Sequence, residues 1–229
     1  MSQEYDTLEE YADISYTGIV GGVLGWLSPL ALFSTFFWGI PVVSGLLSSF
    51  GLIRSALRKR ETTGLRLAWS GLVLSLIFGT AGVVNVATYR YWETEAGKYF
   101  AQQWLQLLLD GRDLEAVQLS HPTLQRARGA GLTYRYGQTP SYQEEYRSFV
   151  NSPAVKVVQR DFLGGKCRYI RCVSWTRMKK ATMYSYVFEV WQGEGNLRKS
   201  REILITVIVT PVESERTYDW MWRSAEPLP

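Results

Sequence analysis

Two long uncharged runs in the first part of the chain constrain its fold more than any other feature. One covers 40 positions from Ile14 to Ile53, and the other covers 23 positions from Leu67 to Tyr89. A helix crosses the hydrocarbon core of a bilayer with about 20 apolar residues, so both runs are long enough to span a membrane. The sequence therefore predicts an integral membrane protein whose first third is a module of two to three hydrophobic helices.

The charges beside these runs predict how the chain crosses the membrane. Residues 1–17 form an acidic tail with five acids and no base, whereas the segment 54–66 carries five bases and one acid. Short segments rich in Lys and Arg stay in the cytoplasm. One crossing follows this loop, so residues 90–229 are expected on the other side. The residues that set this topology are Arg54, Arg58, Lys59, Arg60 and Arg66.

The first run is too long for one upright helix. A helix of its 40 residues would measure about 60 Å, twice the hydrocarbon thickness. Pro29 and Pro41 interrupt it, and residues 36–41 are typical of a turn with an aromatic anchor. We favour two segments, as short crossings or a re-entrant hairpin. One tilted helix is the alternative, so the side of the N-terminus stays open. The acidic tail argues against a cleaved signal peptide.

Glycines recur at helical spacing in the first run. They are separated by four positions in two overlapping pairs, which are Gly18 with Gly22 and Gly21 with Gly25. Such pairs let two helix backbones approach closely in lipid. We expect them to pack helices within the module, and a seam between two copies of the chain is the alternative.

The end of the basic loop and the start of the second run resemble a known family. Residues 63–75 read Thr-Gly-Leu-Arg-Leu-Ala-Trp-Ser-Gly-Leu-Val-Leu-Ser, in which Gly64, Ala68 and Gly71 form a Gly-x-x-x-Ala-x-x-Gly pattern. With the basic residues before it, this segment resembles the bacterial domain of unknown function 4190, over about residues 14–88. Thr62 departs from the family's glycine or arginine. The resemblance implies a membrane module in residues 18–89 and no activity.

Residues 90–229 have the pattern of a separate domain. Apolar periodicity predicts helices over 92–110, 114–119 and 141–149, the second capped by Asp113 and the third opened by Ser141 with Glu144 as a capping box. Alternation predicts four or five strands, at 155–162, 167–177, 182–192, 202–210 and 216–223. Thr123–Thr139 is left as a long connection. The fold class is therefore α+β, with helices packed on one face of a curved antiparallel sheet.

The opening of this domain resembles a superfamily of cone-shaped folds. Residues 99–122 combine a long helix, an Asp-Gly turn, a short helix and the ending Ser-His-Pro. This order, with the closing Tyr-Asp-Trp-Met-Trp at 218–222, resembles the nuclear-transport-factor-2-like superfamily. Its members include isomerases and dehydratases with an Asp, Tyr or His inside the cone, and binding domains with a plain pocket. The resemblance covers about residues 92–223.

Few residues of the domain suggest catalysis. His121 is the single histidine, and it stands before Pro122 at a helix end, where a cap or surface role is expected. Cys167 and Cys172 are too far apart on one strand for a disulfide. No spacing suggests a metal site, a phosphate loop or a cofactor. Three strand carboxylates, Glu189, Glu202 and Asp219, are expected to meet arginines across strands, from the set Arg168, Arg171, Arg177 and Arg201.

Aromatic residues are the unusual feature of the domain. They could line a ligand pocket, although a domain of this size also needs them as its core. The predicted pocket residues are Trp104, Tyr146, Tyr169, Tyr184, Tyr186, Phe188, Trp220 and Trp222.

Together these features predict a binding or assembly domain anchored in a bacterial inner membrane, with its C-terminal domain on the periplasmic side. The expected partners are the lipid bilayer and other envelope or membrane proteins, with a homo-oligomer as a further option and no nucleic acid. A basic excess in residues 90–229 suits anionic lipid headgroups or an acidic envelope polymer. The alternative function is a cone-fold enzyme that acts on a hydrophobic substrate.

Overall fold

The chain divides into two units, Met1–Tyr91 and Trp92–Pro229. The computed structural model describes residues 16–58, 64–127, 129–195, 198–212 and 217–229. The first unit is mainly helical in its described residues, and the second is built of helices followed by a sheet. The broad α+β layout expected for the second unit is therefore confirmed.

The first uncharged run forms two helical segments, as expected. Helix α1 spans Tyr16–Leu27 and continues as a 3₁₀ helix over Ser28–Leu32, and after Ser34 a second 3₁₀ turn leads into helix α2, Gly39–Arg58. The predicted turn over 36–41 is wrong, because the chain breaks at Ser34 instead. Its hydroxyl accepts a hydrogen bond from the amide of Phe36 at 3.3 Å. Pro41 is accommodated in the first turn of α2, where no backbone donor is needed.

Helix α3 spans Leu65–Leu109 without interruption. We expected one helix to end near Tyr89 and another to begin at Trp92. That break is absent because residues 83–96 contain neither Gly nor Pro. Within the described residues, two helical stretches are long and apolar enough to cross a membrane, and these are Phe36–Leu57 and Leu65–Leu109.

The first unit buries its small residues and exposes its large apolar ones. Among the described residues its buried positions are mostly Gly, Ala and Ser, such as Gly22, Ala68 and Ser48. Large side chains point outward, with Leu46 68% exposed and Leu76 59% exposed. This distribution is the reverse of a water-soluble core, and it suits helices that pack through small residues in lipid.

The second unit takes the C-terminal part of α3 and adds four shorter helices. Helix α3 ends in a Schellman motif, in which Gly111 has a φ of 72° and the Arg112 amide donates to the Leu107 carbonyl at 2.8 Å. The helices that follow are α4 (Asp113–Gln118), α5 (Ala130–Gln138), α6 (Pro140–Val150) and α7 (Pro153–Asp161).

Helices α5 and α7 were not expected. Residues 155–162 were predicted as a strand because of their valines, but Pro153 starts a helix there. The buried residues Ala154, Val155 and Val158 have helical spacing, so the helix places all three in the core. This packing outweighs the strand propensity of the valines. Helix α5 lies inside the stretch that was taken for a connection.

Two predicted helix caps are also corrected. Asp113 is the first residue of α4 and not its cap, and its carboxylate lies in the first turn, where the helix dipole favours a negative charge. Ser141 lies inside α6, which begins at Pro140 with Thr139 as the flanking residue. Proline at the first helical position has the required φ and lacks only a donor that the helix would not use.

Four antiparallel strands follow in the spatial order of the sequence. They are β1 (Lys166–Arg177), β2 (Thr182–Gln192), β3 (Lys199–Val212) and β4 (Thr217–Pro227). The predicted inner face is confirmed, since every second residue of β2 and β3 is buried, from Tyr184 to Val190 and from Ile203 to Val209. The core cluster joins this face to the helices, so within the second unit the helices pack on one side of the sheet.

At Gly97 helix α3 lies close against the sheet. A Cβ atom there would meet the ring of Trp220 at 2.7 Å and would collide with the Tyr186 hydroxyl. Tyr186 is fully buried, and its hydroxyl donates to the Thr94 carbonyl at 2.9 Å. Only glycine lets the helix lie this close.

We predict that Gly97→Ala destabilises the protein by about 1–3 kcal/mol, because the added methyl group overpacks the core. Alanine ordinarily stabilises a helix by about 1 kcal/mol relative to glycine, so the expected sign is the opposite of the propensity effect. Thermal unfolding of the full chain in mild detergent measures the change. Gly131→Ala is the control, since a Cβ there meets no atom within 4 Å. Equal behaviour of the two variants would contradict the proposed close packing.

Candidate functional site

The predicted pocket residues lie on the inner side of the sheet, but they are packed against one another. Trp104, Tyr186 and Phe188 are fully buried, and Tyr184 is 4% exposed. The other four, Tyr146, Tyr169, Trp220 and Trp222, are partly buried against the same core.

Ring contacts connect seven of these eight residues. The Trp104 and Trp222 rings stack with centroids 5.0 Å apart, and the Tyr184 and Tyr186 rings stack at 6.0 Å. Tyr169 lies edge-on to Tyr186 and Phe188, and Trp220 lies 6.1 Å from Tyr184. Offset and edge-on pairs of this kind stabilise a core beyond the area they bury. These side chains therefore pack against one another in the core of the second unit.

Tyr146 belongs to a separate aromatic group at the rim. Its nearest ring partner is Tyr136, 6.0 Å away. Gln118 is buried, with 3% of its surface exposed. Its side-chain amide donates to the Tyr136 hydroxyl at 2.7 Å and accepts from the Ala127 amide at 2.7 Å. Burial raises the pKa of Tyr136 to about 12, so this hydroxyl stays protonated at neutral pH and acts as a structural partner.

His121 has a carboxylate partner that the sequence did not reveal. Its Nε2 lies 3.1 Å from Oε2 of Glu145, and the Ser120 hydroxyl lies 3.1 Å from Oε1 of the same carboxylate. The imidazole also packs edge-on against Tyr142. The expectation of an isolated cap or surface residue is therefore wrong, because helix α6 brings Glu145 from 24 positions away.

The order of these three groups does not match a nucleophilic relay. In such a relay the imidazole lies between the hydroxyl and the carboxylate, so that it can take the hydroxyl proton. Here the carboxylate of Glu145 lies between Ser120 and His121. The Ser120 hydroxyl also lies 2.6 Å from the Val117 carbonyl. The arrangement fastens the end of α4 to α6.

A second group of polar contacts joins the same segment to strand β4. Asp219 accepts from the Thr123 amide at 3.0 Å and from the Thr123 hydroxyl at 2.7 Å. Arg126 donates to the carbonyls of His121 and Trp220. Asp219 thus meets the α4–α5 connection, where we had expected a cross-strand arginine.

One carboxylate does lie beside an inner-face tyrosine. The Tyr184 hydroxyl donates to Oε2 of Glu93 at 2.8 Å. Burial raises the pKa of the neighbouring Tyr186. A carboxylate and a phenol at this distance are the kind of pair that general acid–base chemistry uses, and this pair is the strongest catalytic candidate in the second unit.

Two buried indole groups are left without a hydrogen-bond acceptor in the described part of the chain. These are the Nε1 atoms of Trp104 and Trp222, whose rings stack on each other. An unpaired buried donor costs about 1–3 kcal/mol. The pair marks a place in the aromatic core where a polar atom would be favoured.

The two cysteines are free thiols on β1, as expected. Burial raises the pKa of Cys167 to about 11 and also raises the pKa of Cys172. Both thiols are therefore protonated at neutral pH, and a protonated thiol is a poor nucleophile and metal ligand. No group of three or more potential metal ligands occurs within the described residues.

The outer face of the sheet carries ion pairs around a shallow depression. Glu189 pairs with Arg168 at 2.6 Å, as predicted, and also with Arg198 at 2.9 Å. The depression has a volume of about 470 Å³. It is lined by Arg168, Ile170, Glu189, Ser200, Arg201, Glu202 and Pro229.

In the first unit the four predicted packing glycines are buried within the chain, and these are Gly18, Gly21, Gly22 and Gly25. A Cβ on Gly71 of α3 would meet Cα of Gly22 at 2.6 Å and the Gly21 carbonyl oxygen at 2.8 Å. The Ser44 hydroxyl donates to that same carbonyl at 2.9 Å. These glycines therefore mediate contacts among α1, α2 and the start of α3.

Three of the five bases that are predicted to set the topology lie in helices. Arg54 and Arg58 are in α2 and Arg66 is in α3. Lys59 and Arg60 fall outside the described residues.

We predict that Gly71→Val lowers the thermal stability of the first unit, by about 1–3 kcal/mol in free energy, because it pushes rigid backbone atoms apart. The measurement is the unfolding midpoint of the full chain in detergent. Gly39→Val is the matched control, since a Cβ at Gly39 meets nothing within 4 Å. A Gly71 variant as stable as the Gly39 variant would argue against the helix contact.

Comparison of the chain with protein-family models, with curated proteins and with solved structures gives no match. The two resemblances stated from the sequence therefore stay predictions.

Proposed function

We propose that this chain is a membrane-anchored domain that acts by binding or assembly outside the cytoplasm, as a structural or accessory component of a bacterial cell envelope. Its anchor is the first unit, in which large apolar side chains face outward and small ones pack inward. That distribution is favourable in lipid and unfavourable in water.

The orientation follows from the charges. Five bases in residues 54–66 against one acid favour a cytoplasmic position for this short segment. One stretch long enough to cross the bilayer follows it, so residues beyond Arg90 emerge on the periplasmic side of the inner membrane.

The observation that carries the binding role is the filled inner face of the sheet. The aromatic side chains that would line a cone-shaped pocket stack on one another, with Trp104, Tyr186 and Phe188 fully buried. The polar groups of the α4–α5 connection are engaged in fastening that connection to α6 and β4. A domain with its interior so occupied offers its outer surfaces to partners, which would be neighbouring envelope or membrane proteins or a second copy of the chain.

The fold order supports the proposed superfamily. A long helix and shorter helices precede four antiparallel strands in meander order, and this layout matches a cone of the nuclear-transport-factor-2-like type. The first unit is likewise proposed as a module resembling the domain of unknown function 4190.

The second candidate function is a cone-fold enzyme of the isomerase or dehydratase type. The contact between Glu93 and the Tyr184 hydroxyl favours it, because this is a carboxylate within 3 Å of an inner-face tyrosine, at 2.8 Å. Against it, the Tyr184 ring packs against Tyr186 and Trp220, with ring centroids 6.0 and 6.1 Å away.

The orientation is tested with a protease site inserted after Gly195, in the exposed β2–β3 turn. External protease should cut this variant in intact spheroplasts. The same site inserted after Thr62, in the basic loop, is the control and should be cut only after permeabilisation. Reversed protection of the two sites would mean that the domain lies in the cytoplasm.

The binding role is tested by photo-crosslinking in intact cells. A photoreactive residue at Ile170, beside the outer-face depression, should join the chain to a second polypeptide. The same residue at Tyr186, which is fully buried, should give only intramolecular products. Turnover of an apolar substrate by the purified chain, abolished by Glu93→Gln, would instead establish the enzyme.

A further inference from the structure

We propose that the tip of the β1–β2 hairpin, residues 171–182, docks on anionic phospholipid headgroups of the membrane that anchors the chain. The proposal rests on the membrane anchor argued above and adds a specific lipid contact to it. The hairpin tip lies entirely within the second unit.

The tip combines basic and large apolar side chains, and all of its outermost residues are exposed. Residues 173–180 are exposed without exception. Val173 is 54% exposed, Trp175 is 51% exposed, and Met178 is 41% exposed. The Met178 amide donates to the Ala181 carbonyl at 2.7 Å, which closes the turn. Exposed apolar residues that cluster in this way mark an interaction surface.

The charge on this part of the chain has one sign. Between Asp161 and Glu189 the sequence contains six bases and no acid. Four of the bases belong to the tip, and these are Arg171, Arg177, Lys179 and Lys180. A basic cluster beside a membrane is attracted to anionic lipids, while tryptophan prefers the headgroup level of a bilayer. The tip therefore offers both kinds of side chain.

The contacts of α3 show that the tip lies at the end of the unit where the chain enters it. Trp175 pairs across strands with Tyr184, and the Tyr184 hydroxyl bonds Glu93, the second residue of the unit. The opposite end of the sheet lies beside the far end of α3, where the Gly164 amide donates to the Leu109 carbonyl at 2.7 Å. These two ends are separated by about 20 Å along the helix.

This end of the unit is close in sequence to the hydrophobic run. The uncharged run ends at Tyr89, and Glu93 follows four positions later. The Cα atoms of these two residues are therefore at most about 14 Å apart. If Leu67–Tyr89 crosses the bilayer, the end of the unit that carries the tip is tethered near the headgroups. The tip can then reach the lipid surface.

The test uses the full chain reconstituted into nanodiscs, with Cys167 and Cys172 replaced by alanine. A polarity-sensitive fluorophore is attached at Met178→Cys, or as a control at Glu194→Cys in the β2–β3 turn at the opposite end of the sheet. Nanodiscs contain either phosphatidylcholine alone or phosphatidylcholine with phosphatidylglycerol. Circular dichroism of each variant confirms that the fold is retained.

We expect the emission maximum of the label at position 178 to shift to shorter wavelength in anionic nanodiscs only. The emission maximum of the label at position 194 should be the same in both kinds of nanodisc. Each basic residue near an anionic surface contributes roughly fivefold to the docking equilibrium. The charge reversal Lys179→Glu/Lys180→Glu should therefore reduce docking by at least about tenfold, as should high salt. The matched reversal Lys166→Glu/Lys199→Glu changes the net charge equally at the other end and should have no effect.

Each other outcome overturns the proposal. The proposal fails if the label at 178 does not distinguish the lipids, if the label at 194 shifts equally, or if the two charge reversals act alike. A tip that ignores anionic lipid but shifts with a soluble acidic polysaccharide would assign the surface to an envelope polymer instead. Failure of the chain to insert into nanodiscs at all would contradict the membrane anchor, and it is therefore distinguishable from failure of docking.

Discussion

The close contact of helix α3 with the sheet is the constraint on which the rest of the second unit depends. At Gly97 the helix backbone lies against Tyr186 and Trp220 with no room for a methyl group. Because the helix is this close, Trp104 reaches Trp222 and stacks on it. The aromatic rings of the inner face then pack against one another.

The polar residues around this core have a common role. Four polar residues lie in or beside the connection after α4. Gln118 contacts α5, His121 contacts α6, and both Thr123 and Arg126 contact β4. Buried polar groups stabilise a fold only when their partners are present. These contacts hold a segment with little apolar content against the core, so polar residues that look like chemistry in isolation serve to close the rim of the domain.

The two units follow the same physical principle with opposite results. In the second unit large apolar side chains are buried, because burial removes them from water. In the first unit the large apolar side chains face outward, and Gly, Ala and Ser pack inward, a distribution that suits helices packed through small residues in lipid. The hairpin tip, where Trp175 and Met178 are exposed among lysines, combines both kinds of surface, as expected for a headgroup contact.

The sequence by itself determined what depends on neighbours along the chain. Uncharged length predicted the hydrophobic helices, alternation predicted the inner faces of β2 and β3, and Gly111 predicted the end of α3. Tertiary structure decided what depends on distant residues. Valines 155, 157 and 158 favour a strand locally, but they form helix α7, which buries Val155 and Val158 in the core. Glu145 became the partner of His121 only when α6 packed beside α4, and no local pattern encodes a contact across 24 positions. The ring contacts among the aromatic residues likewise depend on how closely α3 approaches the sheet, and Gly97 allows that approach.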